Sequence, residues 1–257
     1  MRICFVDRST RLKHVRELES KARGGMVASL FYVSDHLATH GHKITILSDI
    51  EDEGRTRSGV LWLNDVHGKF DVLVANRGVG DGYPLIEAKR RVLWTHDLPH
   101  MGMIPEPRTI RAFDCTVFMS RYAKRVWKSF YKPIGKSVLI PNGVDKKEFY
   151  PRQKDSDYLI FASNPNRGLD RLPFLFDCIK ARSERPLRMR AYSNREALHP
   201  GEGGEFDNAY KSIEDSEIEL CEPVPTEQFA NQLGKASLML CRQTTRRFAQ
   251  MSFCNPW

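Results

Sequence analysis

The chain lacks the cysteine pairs from which structural zinc sites are built. Its 257 residues include six widely scattered cysteines, and no Cys-x-x-Cys pair occurs among them. Zinc sites that use cysteine place their ligands in such closely spaced pairs. A zinc-binding module is therefore disfavoured, and no metal site is predicted. Scattered thiols are also typical of proteins in a reducing compartment, which predicts a cytoplasmic location.

Long apolar runs are missing as well. No stretch approaches the ~18 consecutive apolar residues that a membrane-spanning helix requires. The apolar segment at residues 3–6 is too short for the core of a signal peptide, and charged residues follow it. A composition of 41% apolar and 28% charged residues is that of a soluble globular protein. The length predicts one or two domains.

A third absence concerns dinucleotide cofactors. No Gly-x-Gly-x-x-Gly follows the first strand-like run, and a charged segment (residues 7–23), interpreted as a loop or an exposed helix, precedes Gly24-Gly25 instead. The glycine fingerprint is what lets a Rossmann fold bring its backbone against the pyrophosphate of NAD. A Rossmann oxidoreductase is therefore disfavoured, and no cofactor is predicted.

The charge balance is basic. Lysine and arginine exceed the acidic residues to give a formal net charge of +8 and an isoelectric point near 9.2. Such a balance fits nucleic acid, an anionic membrane surface or phosphorylated small molecules as partners. A solvated surface that merely carries excess lysine and arginine fits equally well.

Short apolar runs alternate with segments of helical periodicity along the whole chain. Strands are predicted at residues 2–6, 43–47, 71–75, 91–94, 115–119, 136–140, 158–162, 187–191, 218–220 and 236–241. Helices are predicted at residues 26–37, 121–130, 169–179 and 225–233. This alternation predicts an α/β fold with two Rossmann-like, doubly wound domains. We place the acceptor-side domain at 1–150 and the nucleotide-binding domain, incomplete, at 151–257.

Residues 113–151 form the unit that closes the first domain. An apolar strand leads into Ser120, a good helix N-cap, and then into a helix. A second strand ends at Asn142-Gly143, which is a strong turn signal. We expect the connector between the domains to begin there.

Three segments resemble the GT-B glycosyltransferases of family 4. They are Gly24-Gly25 with the helix and strand after it, the stretch 120–149 with its Ile-Pro-Asn-Gly-Val-Asp sequence, and Phe-Ala-Ser-Asn-Pro-Asn-Arg-Gly-Leu at 161–169. The resemblance covers about residues 1–241. It implies two domains that face a cleft. It also implies transfer of a sugar from a nucleotide diphosphate to an acceptor, with retention and without a metal.

The resemblance also implies which residues bind the donor, a UDP-, GDP- or ADP-linked sugar. Gly24 and Gly25 would let the backbone approach the diphosphate, with the positive end of the following helix aimed at it. Arg167, just before Gly168, would supply a cation that can fork onto phosphate oxygens. Ser120 would face Arg167 across the cleft. The alternatives are a plain turn at the glycines and a surface arginine covering a helix start.

Polar residues follow two of the predicted strands, at the end of the sheet where α/β proteins bind ligands. His96 matches a histidine that the family keeps near the reacting sugar, where it would position a substrate or take a proton. Asp97 would orient His96 or contact the acceptor. Asn76 and Arg77 are acceptor-side candidates, together with the flexible loop containing Gly78, Gly80 and Gly82. The alternative for His96 is a structural hydrogen bond to a loop carbonyl.

The sequence departs from the family pattern in two places. The family usually has a further basic residue a few positions before Arg167, where this chain has Ser163 and Asn164. It also places two glutamates after the strand at 237–241, whereas no glutamate follows Glu227 here. We therefore expect a C-terminal truncation or a reading-frame error, and impaired sugar transfer.

The main alternative to a glycosyltransferase is a non-catalytic binding protein. One predicted helix carries four basic residues, Arg121, Lys124, Arg125 and Lys128, which could face acidic lipid head groups. The same basic side chains could bind nucleic acid instead. The same helix fits the enzyme too, since a sugar or lipid-linked acceptor could lie at the inner face of a membrane. For the enzyme no nucleic-acid partner is expected.

Overall fold

A computed structural model describes residues 1–20, 24–77, 86–99, 107–131, 135–193 and 203–241. The chain divides into two compact units, unit 1 at Met1–Gly143 and unit 2 at Val144–Trp257. Each has its own parallel sheet and its own hydrophobic core. The predicted α/β class with doubly wound sheets is confirmed.

Unit 1 contains an eight-stranded sheet. Its strands are β1 (Arg2–His14), β2 (Lys43–Asp52), β3 (Gly54–Arg55), β4 (Leu61–Leu63), β5 (Lys69–Asn76), β6 (Glu87–Thr95), β7 (Cys115–Phe118) and β8 (Ser137–Leu139). Its helices within the described residues are α1 (Glu17–Ser20), α2 (Gly25–Thr39), α3 (Pro107–Ile110) and α4 (Arg121–Phe130). The strand order is β3-β4-β2-β1-β5-β6-β7-β8, and every pair except β3–β4 is parallel.

Side chains of β1 alternate between two cores, as the two-residue period of a strand requires. Ile3 and Phe5 pack in the cluster that contains Leu30 of α2, whereas Cys4 and Val6 pack in the cluster that contains Trp127 of α4. Both faces of the sheet are therefore covered, which is why the strands of unit 1 are apolar on both sides.

The first strand is longer than its sequence indicates. Residues 7–14 were expected in a loop or an exposed helix, but they continue β1 alongside β2. The register shifts between Asp7 and Arg11, and Arg8 forms an ion pair with Asp49 at 2.7 Å. Cross-strand partners of opposite charge stabilise this polar extension, and they lie far away in the sequence.

Helix α4 begins as predicted. The Ser120 hydroxyl accepts a hydrogen bond from the Ala123 backbone N–H at 3.0 Å, so Ser120 is the N-cap. The helix presents Trp127 to the core and leaves Arg121, Arg125 and Lys128 exposed.

Unit 2 contains a four-stranded parallel sheet in the order β11-β10-β9-β12. Its elements are β9 (Asp155–Ala162), α5 (Leu172–Lys180), β10 (Arg188–Tyr192), α6 (Asp207–Glu214), β11 (Ile218–Cys221), α7 (Thr226–Lys235) and β12 (Ala236–Leu240), with short 3-10 turns at Pro165–Arg167, Leu169–Arg171 and Gly203–Phe206. One face of the sheet packs against α5 and α6, through Phe176 and Tyr210, and the other packs near Phe229 of α7.

The loop after β9 depends on one glycine. Gly168 has φ +102° and separates the turn Pro165–Arg167 from the turn Leu169–Arg171. A side chain at this φ is strained, so glycine is the residue that lets the chain reverse between the two turns. Arg167 is therefore held at the carboxyl end of β9 by backbone geometry.

Candidate functional site

Strand register places three polar residues of unit 1 at one end of its sheet. Val6 of β1 pairs with Ala75 of β5, and Asn76 of β5 pairs with Trp94 of β6. Asp7, Asn76 and His96 therefore follow the buried parts of three adjacent parallel strands. This is the carboxyl edge, where open α/β sheets bind their ligands.

Hydrogen bonds join these residues into a chain. The Asn76 side-chain Nδ2 donates to the Asp7 carboxylate at 3.0 Å, and the Asn76 Oδ1 lies 2.8 Å from His96 Nε2. Asp7 is 1% exposed and Asn76 is 3% exposed, whereas His96 is half-buried. In the part of the chain that the structure describes, the His96 ring bonds to the Asn76 side chain rather than to a loop carbonyl, and its role stays a prediction.

Asp7 is a site residue that the sequence reasoning missed. It was grouped with the charged segment that follows it, because the next residues are arginine and serine. The available signal was the criterion that singled out Asn76 and His96, namely a polar residue directly after a buried strand. Applied to Ile3–Val6, that criterion selects Asp7.

Arg77 and Asp97 form a second pair beside the first. The Arg77 Nε donates to Asp97 Oδ2 at 2.6 Å, and both side chains are about one-third exposed (34% and 28%). Arg77 has φ +69°, and its backbone N–H donates to the Trp94 carbonyl at 2.8 Å. A left-handed conformation at a residue other than glycine is uncommon and is found disproportionately at functional sites. The four predicted residues Asn76, Arg77, His96 and Asp97 thus lie together.

Two tryptophans hold the segment that carries His96. The Trp94 ring lies 4.7 Å from the His96 ring, measured between centroids, at an angle of 46°. The Trp127 indole N–H donates to the Asp97 carbonyl at 2.9 Å. Because Trp127 belongs to α4, this bond fixes the backbone after β6 to the helix that Ser120 begins.

The electrostatics of the site favour a neutral imidazole. Burial is the main cause that lowers the pKa of His96 below its ordinary value of 6.5. The carboxylates of Asp97 and Asp7 act in the opposite direction, and the Arg77 guanidinium adds to the lowering. A neutral histidine can accept a proton or a hydrogen bond from a ligand at physiological pH.

The lowered pKa of His96 predicts an acid-sensitive contribution to stability. The unfolded chain takes up the proton at about 6.5, before the folded protein does, so protonation favours unfolding as the pH falls below that value. We expect the free energy of unfolding to fall more steeply for the wild type than for His96→Gln between about pH 7.5 and pH 5.5. Urea titrations at each pH measure it. The expectation would be contradicted if the free energy of unfolding fell equally with pH in both proteins, or if it rose in acid for the wild type.

The structure also describes the remaining predicted residues of unit 1, at the starts of α2 and α4. Gly24 is the N-cap of α2 in an extended conformation, and a Cβ added at Gly24 or Gly25 would meet no atom within 4 Å. The space beside these glycines is open, as a ligand-binding turn requires. In the described part of the chain, no hydrogen bond joins Gly24, Gly25 or Ser120 to His96 or Asp97.

In unit 2, Arg167 is exposed beside Gly168. Among the described residues it has no ion pair. The arginines of β10 differ in this respect, since Arg188 pairs with Asp155 and Arg190 pairs with Glu219 at 2.7 Å. The Arg167 guanidinium is therefore available for an anionic ligand, whereas those of β10 stabilise the sheet.

Two predicted features lie outside the described residues. They are the loop containing Gly78, Gly80 and Gly82, and the segment 242–257. Among the residues that the structure does describe, no helix is long and apolar enough to cross a membrane, and no group of three or more His, Cys, Asp or Glu side chains could hold a metal ion.

Several solved structures share the architecture. Sucrose-phosphate synthase from Thermosynechococcus elongatus matches with a TM-score of 0.69 at 12% identity, over 93% of this chain and 74% of that one. A glycosyltransferase from Rickettsia africae matches with a TM-score of 0.62 at 13% identity, over 93% and 72%. Anabaena HepE, solved with UDP and glucose, matches with a TM-score of 0.58 at 11% identity, over 93% and 73%.

These likenesses establish the fold, which is that of the GT-B glycosyltransferases. No protein-family model matches the sequence, and the search of curated proteins finds no match either. At identities of 11–13% the shared property is the architecture, so the activity is a separate question.

Proposed function

We propose that this protein is a glycosyltransferase that takes its sugar from a nucleotide-diphosphate donor. The observation that carries the proposal is the GT-B architecture, matched over 93% of the chain by enzymes such as sucrose-phosphate synthase. The complex of HepE with UDP and glucose supports a nucleotide sugar as the ligand of this fold. Transfer with retention, without a metal and within family 4, is part of the proposal and is supported by the sequence resemblance.

Each predicted site residue has a role in this proposal. The exposed Arg167 guanidinium would bind diphosphate oxygens, and the open turn at Gly24-Gly25 would let a phosphate reach the N-terminus of α2. His96, kept neutral by burial, would contact the reacting sugar, with Asp97 beside it. A sugar or lipid-linked molecule is the proposed acceptor, with Asn76 and Arg77 toward its side.

Ligand-induced stabilisation tests the proposal directly. A ligand at 100 times its Kd stabilises the folded state by about 2.7 kcal/mol, which raises the unfolding temperature by several degrees. We expect such a shift with UDP, GDP or ADP, unchanged by EDTA, and none with NAD. The proposal would be contradicted if only NAD raised the unfolding temperature, or if none of the nucleotides did.

Helix α4 favours an additional membrane contact. Arg121, Arg125 and Lys128 are exposed at spacings of four and three residues, which places them on one stripe of the helix. Tyr122 is 52% exposed beside them and offers an aromatic side chain of the kind enriched at membrane interfaces. We propose that this stripe binds an anionic lipid surface at the cytoplasmic face of a membrane.

Vesicle binding tests this contact. Each lysine or arginine near an anionic surface contributes about 1 kcal/mol, so replacing all three with glutamine should weaken binding to phosphatidylserine-containing vesicles by about 100-fold. The charge-matched control replaces Arg182, Arg185 and Lys211, which are exposed in unit 2. An equal loss in both variants, or equal binding to neutral vesicles, would contradict a specific stripe. Salt-sensitive binding to DNA with no nucleotide affinity would favour the non-catalytic alternative.

A further inference from the structure

The hydrogen-bond chain at the carboxyl edge of unit 1 has a direction. An ionised carboxylate only accepts hydrogen bonds, so Asp7 requires the donor end of the Asn76 amide to face it. The amide oxygen of Asn76 then faces His96, and an amide oxygen also only accepts. The nitrogen that meets this oxygen, His96 Nε2, must therefore carry a hydrogen.

The other ring nitrogen is left available. In the neutral imidazole only one nitrogen is protonated, so a hydrogen on Nε2 leaves Nδ1 as an acceptor. No described residue makes a hydrogen bond to His96 Nδ1, and the ring is half-buried rather than enclosed. The charged groups that act on the ring are Asp97, Asp7 and Arg77.

We propose that Asp7 and Asn76 are positioning residues, which hold His96 in the tautomer protonated on Nε2 and so present Nδ1 as an acceptor to the ligand. In this proposal both residues act on the ligand through the imidazole, so Asn76, which is 3% exposed, serves the acceptor side through His96. Their near-complete burial supports the assignment, because a buried amide between a carboxylate and an imidazole cannot turn without leaving polar atoms unsatisfied. The consequence for donor or acceptor binding rests on the proposed function, whereas the tautomer itself does not.

Side-chain nitrogen NMR of the full chain tests the tautomer. The protein is labelled with ¹⁵N-histidine, and the His96 signals among those of eight histidines are identified by their loss in His96→Gln. In the wild type near neutral pH we expect a protonated Nε2 and an unprotonated Nδ1. A wild type protonated on Nδ1, or a charged imidazolium at that pH, would overturn the proposal whatever the protein binds.

Two near-isosteric variants test whether Asp7 and Asn76 set the tautomer of His96, an arrangement that we call the relay. Asp7→Asn supplies an amide that can hydrogen-bond to Asn76 in either of its two orientations. When the Asn76 amide nitrogen faces His96, Nε2 must accept, so a population protonated on Nδ1 should appear. Asp7→Asn combined with Asn76→Asp places a single carboxylate against Nε2, with an amide instead of a second carboxylate behind it, so the imidazolium should persist at a pH where the wild-type ring is neutral. Spectra of both variants that match the wild type would overturn the relay. Should either variant fold poorly, as judged by circular dichroism, the wild-type spectrum still decides the tautomer.

Nucleotide binding is measured separately on the same samples. We expect the wild type to bind a nucleoside diphosphate sugar more tightly than the double variant (Asp7→Asn with Asn76→Asp) at neutral pH. The difference in affinity should narrow at alkaline pH, where the variant's imidazole loses its charge. If the wild type shows the expected tautomer but binds no nucleotide, the proposed function fails and the relay stands. If it binds nucleotide with the other tautomer, the relay fails and the proposed function stands.

Discussion

Replacing Trp127 with alanine is expected to lower the free energy of unfolding of unit 1 by about 3–5 kcal/mol. Trp127 is 4% exposed in the cluster beneath β1, β5 and β6, and its ring stacks on Tyr131 with centroids 5.3 Å apart. Truncation would leave a cavity and remove the indole hydrogen bond to the Asp97 carbonyl. Urea denaturation followed by circular dichroism measures the loss.

A conservative variant separates the two contributions of Trp127. Trp127→Phe keeps a ring in the core and removes the indole N–H, so it should lose only about 1–2 kcal/mol. Tyr122→Ala, at an exposed position of the same helix, is the control and should change stability by about 0.5 kcal/mol or less. A loss for Trp127→Phe equal to that for alanine would assign the effect to the hydrogen bond rather than to packing.

Replacing Arg167 with alanine is expected to weaken nucleoside-diphosphate binding by about 10- to 100-fold. Hydrogen bonds to charged groups contribute about 1.5–3 kcal/mol, and the exposed guanidinium of Arg167 has no competing ion pair among the described residues. Arg167→Lys should recover part of the affinity, because lysine keeps the positive charge but cannot make the bidentate hydrogen bonds of a guanidinium. Isothermal titration with the nucleotide found by thermal shift measures each Kd.

Arg171 provides the matched control. It is exposed four residues later on the same loop and pairs with Asp170 at 3.7 Å, so Arg171→Ala removes the same charge from the same part of unit 2. We expect its Kd to stay within about twofold of the wild type, a difference of less than ~0.5 kcal/mol. Equal weakening by both substitutions would show a diffuse electrostatic effect and would contradict a specific role for Arg167.

The sequence was sufficient for features with local causes. Alternating apolar and helical segments predicted the doubly wound class, and the serine at 120 predicted a cap that forms. The polar residues after β5 and β6 were predicted to lie at the end of the sheet where α/β proteins bind ligands, and the strand register brings them together there. Each of these depends on a pattern a few residues long, which is what hydrophobic periodicity and capping report.

Features with distant causes were missed. The extension of β1 through His14 depends on pairing with Asp49 and Ile50, which a reading of residues 7–14 alone does not contain. Helix α6 places Tyr210 and Ile213 in the core, yet its short polar sequence was assigned to no predicted helix or strand. The direction of the Asp7–Asn76–His96 chain likewise needs three strands at once.

The strand order of the two units has a consequence for synthesis on the ribosome. In unit 1 the central strand β1 gains its neighbours β2 and β5 early, so most of that sheet can pair in the order in which it emerges. In unit 2 the central strand β9 emerges first but acquires one of its two neighbours, β12, only when residues 236–240 have been translated. Until then one edge of β9 lacks its partner, and the apolar side chains of α7 lack one of the two strands that they pack against. Translation speed and chaperone supply should therefore affect the yield of unit 2 more than that of unit 1.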